Sequence, residues 1–247
     1  MIRLIAIKEL RSLCAAPVTW ILMGTLQFVF SWYFLMRLDA FLQVQNQLAQ
    51  FPNAPGATQA VAVPLYDTIA LILMMLTPLF TMRLIAEERR NQTLVLLMAA
   101  PISGAQIVLG KYISLMLLLT CVIAACTLML LTLSIGTPLD IGLLLGNALG
   151  QLLLAASYAA LGMYISSLTA QPIFAATTSM AILFGSWLME TSAGANDNPV
   201  RELTPTAHLH SFSNGLLNSA DMVYFLTFCT AFLWLTIRRM HSNRTCS

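Results

Sequence analysis

The chain has 247 residues, 58% of them hydrophobic and only 9% charged, with a mean hydropathy of +0.80. Soluble domains carry about 25% charged residues, so this composition excludes a water-soluble globule and points to an integral membrane protein. A formal charge of +2, with ten Arg and two Lys that form no stripe, excludes a nucleic-acid-binding surface.

Residues 1–16 place Ile2, Ala6, Leu10 and Leu13 on one helical face and Lys8, Arg11 and Ser12 roughly opposite, which suits a helix lying in the membrane interface. Ala15, Ala16 and Pro17 offer a modest break before the first apolar run, 18–36, so an extension of that run is the alternative. The run ends at Arg37 without a small-residue cleavage site, and reads as a retained helix rather than a secretory leader. Residues 37–65, rich in Gln and Pro with scattered Leu38, Phe41, Leu42, Leu48 and Phe51, predict a short interfacial helix and a loop. A second apolar run covers 66–82.

The segment that follows starts charged, from Glu87 to Arg90, turns apolar at Leu94, Leu97 and Met98, and is ended by Pro101. It predicts a short amphipathic helix within 84–102, with an ordinary basic loop as the alternative. Ser103 and Gln106 have capping-box spacing for the next helix. Further runs cover 112–135 and 141–165, separated by the turn-forming Gly136-Thr137-Pro138-Leu139-Asp140, then 172–189 and 222–237, the last stopped by Arg238 and Arg239. Residues 190–221 form a second segment outside the spans. The predicted fold is a single domain over 1–247: all-α, polytopic, with six transmembrane helices and an N-terminal interfacial helix.

Lys and Arg are retained on the cytoplasmic side. With the N-terminus inside, Arg3, Lys8, Arg11, Arg83, Arg89, Arg90, Lys111, Arg238, Arg239 and Arg244 are cytoplasmic and only Arg37 and Arg201 are outside. Six crossings return the C-terminus to the cytoplasm. The cysteines lie in tails (Cys14, Cys246) or spans (Cys121, Cys126, Cys229), so no disulfide framework is expected.

Catalytic constellations fail in turn. Gly110-Lys111 lacks the Gly and hydroxyl of a phosphate-binding loop, since Ala105 and Tyr112 stand at those positions. The Glu87-Glu88 pair is similar to that of prenyl-protein endopeptidases, but Gln92 stands where their motif needs Arg, and His208, His210 and His241 lie outside the spans. Asp67, Arg83, Asp140, Glu190 and Asp221 sit at span edges, which disfavours ion-coupled transport. Uncharged polar groups within the spans, Gln27, Thr77, Asn147, Gln151, Ser157 and Thr177, read as interhelical hydrogen bonding ahead of substrate contact. Gly146 and Gly150 have GxxxG spacing. His208 and His210, even with fourteen Met, do not close a metal site. No catalytic or metal-binding residue is assigned.

Two stretches carry a family resemblance. Ala86-Glu87-Glu88-Arg89-Arg90-Asn91-Gln92-Thr93-Leu94, through Pro101-Ile102-Ser103 to Val108-Leu109-Gly110-Lys111-Tyr112, resembles the pattern of six-helix permease subunits of ABC-2 (type V exporter-like) transporters, especially the gliding-motility GldF and nitrous-oxide-reductase maturation NosY group. Gln92 replaces that pattern's Gly, here taken as a minor departure within a helix. The segment Pro205, His208-Leu209-His210-Ser211-Phe212, Gly215, Asp221 and Val223-Tyr224-Phe225-Leu226 is similar to the group's lead into its last helix.

The resemblance implies a bacterial inner-membrane permease whose coupling helix docks in an ATPase subunit through Glu87, Glu88, Arg89, Arg90 and Thr93. It also implies an outer re-entrant lid containing His208, His210, Phe212 and Gly215. ATP and Mg would be held by the partner ATPase dimer and none by this chain. A second permease, the same chain or a homologue, completes the transporter, with an outer accessory protein as a further partner. The product is substrate export or extraction; the alternative is a mechanotransmission scaffold that relays ATPase motion to an outer partner without transport.

Overall fold

A computed structural model describes residues 2–48, 56, 58–92, 103–135, 139–192, 204–213, 215 and 218–245. No strand occurs among the described residues, and six helices are long and apolar enough to cross a membrane.

Helix α1 (Ile2–Ala15) and α2 (Pro17–Leu48) meet at Ala16. Pro17 opens α2, where its fixed φ suits the first turn and its missing N–H costs nothing. The elbow is closed by Trp20, whose Nε1 donates to the Cys14 carbonyl at 2.6 Å. The two helices are therefore separate. α1 buries Ala6 and Leu13 and leaves Lys8, Arg11 and Ser12 exposed, as the periodicity of the sequence predicts.

Among the described residues, the short interfacial helix predicted beyond Arg37 is not a separate element. α2 instead runs unbroken to Leu48, because Leu38 and Phe41 continue the face that packs on the core. Gln43 Nε2 also donates to Asp39 one turn earlier, at 3.0 Å.

Helix α3 is continuous from Thr58 to Arg90, longer at both ends than the apolar run. It contains two π turns, Thr58–Ala62 and Arg83–Glu87. Next come α4 (Gly104–Leu131), with a 3₁₀ turn Thr132–Ile135, and α5 (Ile141–Leu168). Then follow α6 (Pro172–Ser192), the short α7 (Pro205–Ser213) and α8 (Ser219–Thr245). The predicted capping box opens α4: Ser103 Oγ accepts from the Gln106 amide at 3.3 Å, and Gln106 Oε1 accepts from the Ser103 amide at 3.4 Å. Asp140 caps α5 by accepting from the Leu143 amide at 3.1 Å.

α3 and α5 form the centre, two thirds of their apolar windows being buried, whereas α2, α6 and α8 present most of theirs outward. The central pair approaches closely at Gly162, where a Cβ would lie 2.4 Å from Thr81 Oγ1. Because the long helices alternate in direction, the bundle has two chemically different ends. α1, the end of α3, the start of α4 and the ends of α5 and α8 gather at a basic end. The start of α3, the end of α6, α7 and the start of α8 gather at the other.

Candidate functional site

At the basic end, Lys111 is fully buried and its Nζ donates to Glu9 Oε1 of α1 at 3.0 Å and to Glu88 Oε1 of α3 at 2.7 Å. A buried ammonium needs such partners to offset the loss of its hydration. Three helices are thereby tied at one point. Gly110, next to Lys111, lets α1 lie close on α4: a Cβ there would come 2.8 Å from Ile5 Cγ2.

The π turn Arg83–Glu87 has a local cause. Ser166 of α5 inserts between turns of α3, accepting from the Ala86 amide at 3.0 Å and donating to the Met82 carbonyl at 3.5 Å. These are the two backbone groups that an uninterrupted α-helix would join, so the side chain bridges what the π turn separates. One turn on, Arg89 Nη1 donates to the Ser167 carbonyl at 3.0 Å. The end of α3 is thus fastened to α5 by three hydrogen bonds and to α4 and α1 by the Lys111 cluster.

The charged run predicted for docking is split by this geometry. Glu88 and Arg89 turn inward to Lys111 and Ser167. Glu87 and Arg90, with Asn91 and Gln92, remain exposed. Thr93 and the apolar Leu94, Leu97 and Met98 lie outside the described residues. Gln92 also corrects the sequence reading. It is not inside a helix but lies two residues beyond Arg90, the last residue of α3, with φ of 57°, and its amide reaches back to the Arg89 carbonyl at 3.3 Å. In this chain the position at which the resembling pattern carries Gly is a left-handed helix terminus, where glycine would carry no steric cost.

The other end is built on α7. Phe212 is fully buried and, with Leu209, lies against Gly150 of α5, where a Cβ would come 2.9 Å from Phe212 Cβ. The GxxxG spacing therefore serves, at Gly150, to seat α7. Gly215 follows α7 with φ of 76°. The His208 ring stacks on Tyr224 at 4.0 Å and Nδ1 pairs with Asp221 of α8. His210 Nε2 lies 3.1 Å from Glu190 Oε1 of α6. These pairs fasten α7 to both neighbouring helices. Beside them a cavity of about 230 Å³ opens between α3, α5, α6 and α7.

The intramembrane polar residues divide. Gln151 donates to the Tyr66 carbonyl across α5 and α3 at 2.8 Å, Ser157 meets Cys229 Sγ at 3.6 Å, and Gln27 reaches Met129 Sδ at 3.9 Å. Among the described residues, Asn147 and Thr177 bond within their own helices. Thr77 Oγ1 is buried without a hydrogen-bond partner among the described residues.

Over residues 3–239 the chain matches the family model described as ABC-2 family transporter protein. The chain belongs to that family. None of the curated proteins searched matches it. As an ABC-2 transporter permease it is a membrane component of an ABC transporter, in a family that is generally non-catalytic and works with an ABC ATPase. Six apolar helices agree with a multi-pass membrane protein.

In this permease, the sequence pattern marked the basic end but missed Lys111 as its centre, because Lys111 reads as one more flanking charge. A signal was present: it lies eight residues into α4, too deep for a helix-terminus cation. The cavity had no sequence signal, since its lining is spread from Asp67 to His210.

Proposed function

We infer that the basic end docks the partner ATPase and that the Lys111 cluster passes ATPase movement into the bundle. The supporting observation is the ion-paired Lys111, bonded at once to α1 and to the last turn of α3. The exposed tip Glu87, Arg90, Asn91 and Gln92 is the contact surface, and Thr93, next in the chain, belongs to the same proposed contact. Glu88 and Arg89 fix that tip to the bundle and do not meet the ATPase. A tip joined rigidly to two central helices converts closure of an ATPase pair into helix displacement.

On this reading the basic end is cytoplasmic in a bacterial inner membrane, ATP and Mg reside in the ATPase, and a second permease completes the transporter. α7, with His208, His210, Phe212 and Gly215, forms an outer lid, and the transporter exports or extracts a substrate.

The test is co-purification. Glu87→Arg or Arg90→Glu is expected to lower recovered ATPase about tenfold while membrane insertion is unchanged, a charged rim contact being worth on the order of 1 kcal/mol and reversal adding repulsion. Undiminished ATPase with both variants would show that docking lies elsewhere. Glu88→Gln, by contrast, is expected to lower stability first.

A further inference from the structure

The cavity beside α7 has a chemistry that ATPase docking leaves unused. Two carboxylates line it, Asp67 at its exposed rim and the buried Glu190, and its described lining contains no Lys or Arg. Glu190 Oε1 lies 3.1 Å from His210 Nε2, and an ionised carboxylate has about four acceptor lone-pair sites in all. Tyr158, 1% exposed, and Trp187 add aromatic surface. Thr206, only 9% exposed, lines the same cavity, and its Oγ1 has no hydrogen-bond partner among the described residues. A buried hydroxyl is seldom left unsatisfied, so this one points to a missing partner.

We propose that this cavity binds a primary organic ammonium with an apolar tail, its NH₃⁺ donating to Glu190, Asp67 and Thr206 Oγ1 and its tail lying beside Trp187. Three N–H donors match three acceptor groups, and the aromatic rings favour a cation over a neutral isostere. A quaternary ammonium has no donor for Thr206. Anions are repelled by both carboxylates. A metal ion lacks ligands, since no group of three His, Cys, Asp or Glu suited to one occurs among the described residues. The ammonium can belong to a soluble amine or to an ethanolamine lipid headgroup. The headgroup's phosphate would sit near the carboxylates, which favours the soluble amine. This site does not rest on ATPase docking, and its test needs no ATPase.

The full chain in phosphatidylcholine nanodiscs is titrated calorimetrically with phenethylammonium and with neutral 2-phenylethanol, empty discs giving the baseline. The ammonium is expected to bind about tenfold or more tighter than the alcohol. Glu190→Gln should weaken it about tenfold, and Asp67→Asn and Thr206→Val about threefold each, the loss of one charged or neutral hydrogen bond. If adding phosphatidylethanolamine lowers apparent affinity by competition, the site stands and the lipid is its occupant; unchanged affinity assigns it to soluble amines. Equal binding of ammonium and alcohol overturns the proposal. So does unchanged ammonium binding in folded Asp67→Asn and Glu190→Gln. Should Glu190→Gln fail to insert, Asp67→Asn at the exposed rim decides.

Discussion

Replacing Lys111 by Met keeps the length of the side chain and removes the cation between Glu9 and Glu88. Breaking a buried ion pair from one side typically costs about 3–5 kcal/mol. Here the two carboxylates keep 13% and 20% side-chain exposure, so water can partly rehydrate them and about 2–3 kcal/mol is expected. Thermal unfolding of the detergent-purified protein should register the loss, and Glu9→Gln with Glu88→Gln in the same chain should recover part of it. No recovery would mean that Lys111 acts through packing alone. At Gln92 the direction reverses. A non-glycine residue in the left-handed region costs about 1–2 kcal/mol, and the greater chain freedom of Gly in the unfolded state offsets part of the relief. Gln92→Gly is therefore expected to stabilise the last turn of α3 by about 0.5–1 kcal/mol, read as slower amide exchange of Asn91 and residue 92. Faster exchange would contradict the assignment of a left-handed terminus.

At the scale of elements, the central α3–α5 contact depends on one missing side chain. A methyl at Gly162 would meet Thr81 Oγ1 at 2.4 Å and Thr81 Cγ2 at 2.9 Å, distances that force the helices apart or Thr81 out of place. Gly162→Ala is expected to cost about 1–3 kcal/mol, the usual range for overpacking. Thr81→Ala removes both atoms, leaving only its Cβ at 3.0 Å, so the double variant should be closer to wild type than Gly162→Ala alone. Additive losses in that double-mutant cycle would show that the clash is not with Thr81. The same two helices carry the Ser166 bridge into α3, so separating them would also loosen the π turn that sets the direction of the exposed tip. The seat of Phe212 over Gly150 works the same way for α7: a small residue on α5 admits a large one from a short helix too limited in its own hydrogen bonding to stand alone.

Across the whole molecule, burial is graded from α3 and α5 outward. Trp20 and Trp32 on α2 and Trp234 on α8 are 63%, 68% and 58% exposed, while Trp187 of α6 lines the cavity. In a membrane those exposed rings face lipid or a second permease. Single-Trp variants of the isolated permease in discs of brominated lipid are expected to show strong quenching for Trp20, Trp32 and Trp234 and weaker quenching for Trp187. Equal quenching of all four would contradict the grading. The separation of charge between the ends gives the molecule its working plan. The basic end concentrates ion pairs that join helices, and the opposite end concentrates carboxylates and histidines around α7 and an open cavity.

Local chemistry was enough for several features of this permease. Hydropathy marked the apolar core of each span, Ser103 and Gln106 marked a helix start, and Ala15, Ala16 and Pro17 offered a modest break where the elbow after α1 lies, because each depends on neighbours within one or two turns. The sequence also located the charged end of α3. It could not say that Glu88 and Arg89 turn inward while Glu87 and Arg90 face out, nor that α2 persists to Leu48. Glu88 is turned by Lys111, 23 residues away, and by the position of α1; Arg89 is turned by a carbonyl of α5. The cavity depended still more on tertiary structure. Asp67, Tyr158, Trp187, Glu190, Thr206 and His210 come from four helices, and close packing at Gly162 and Gly150 holds α3 and α7 against α5. Periodicity acts over a few residues, whereas these sites are decided by which distant side chains share a buried surface.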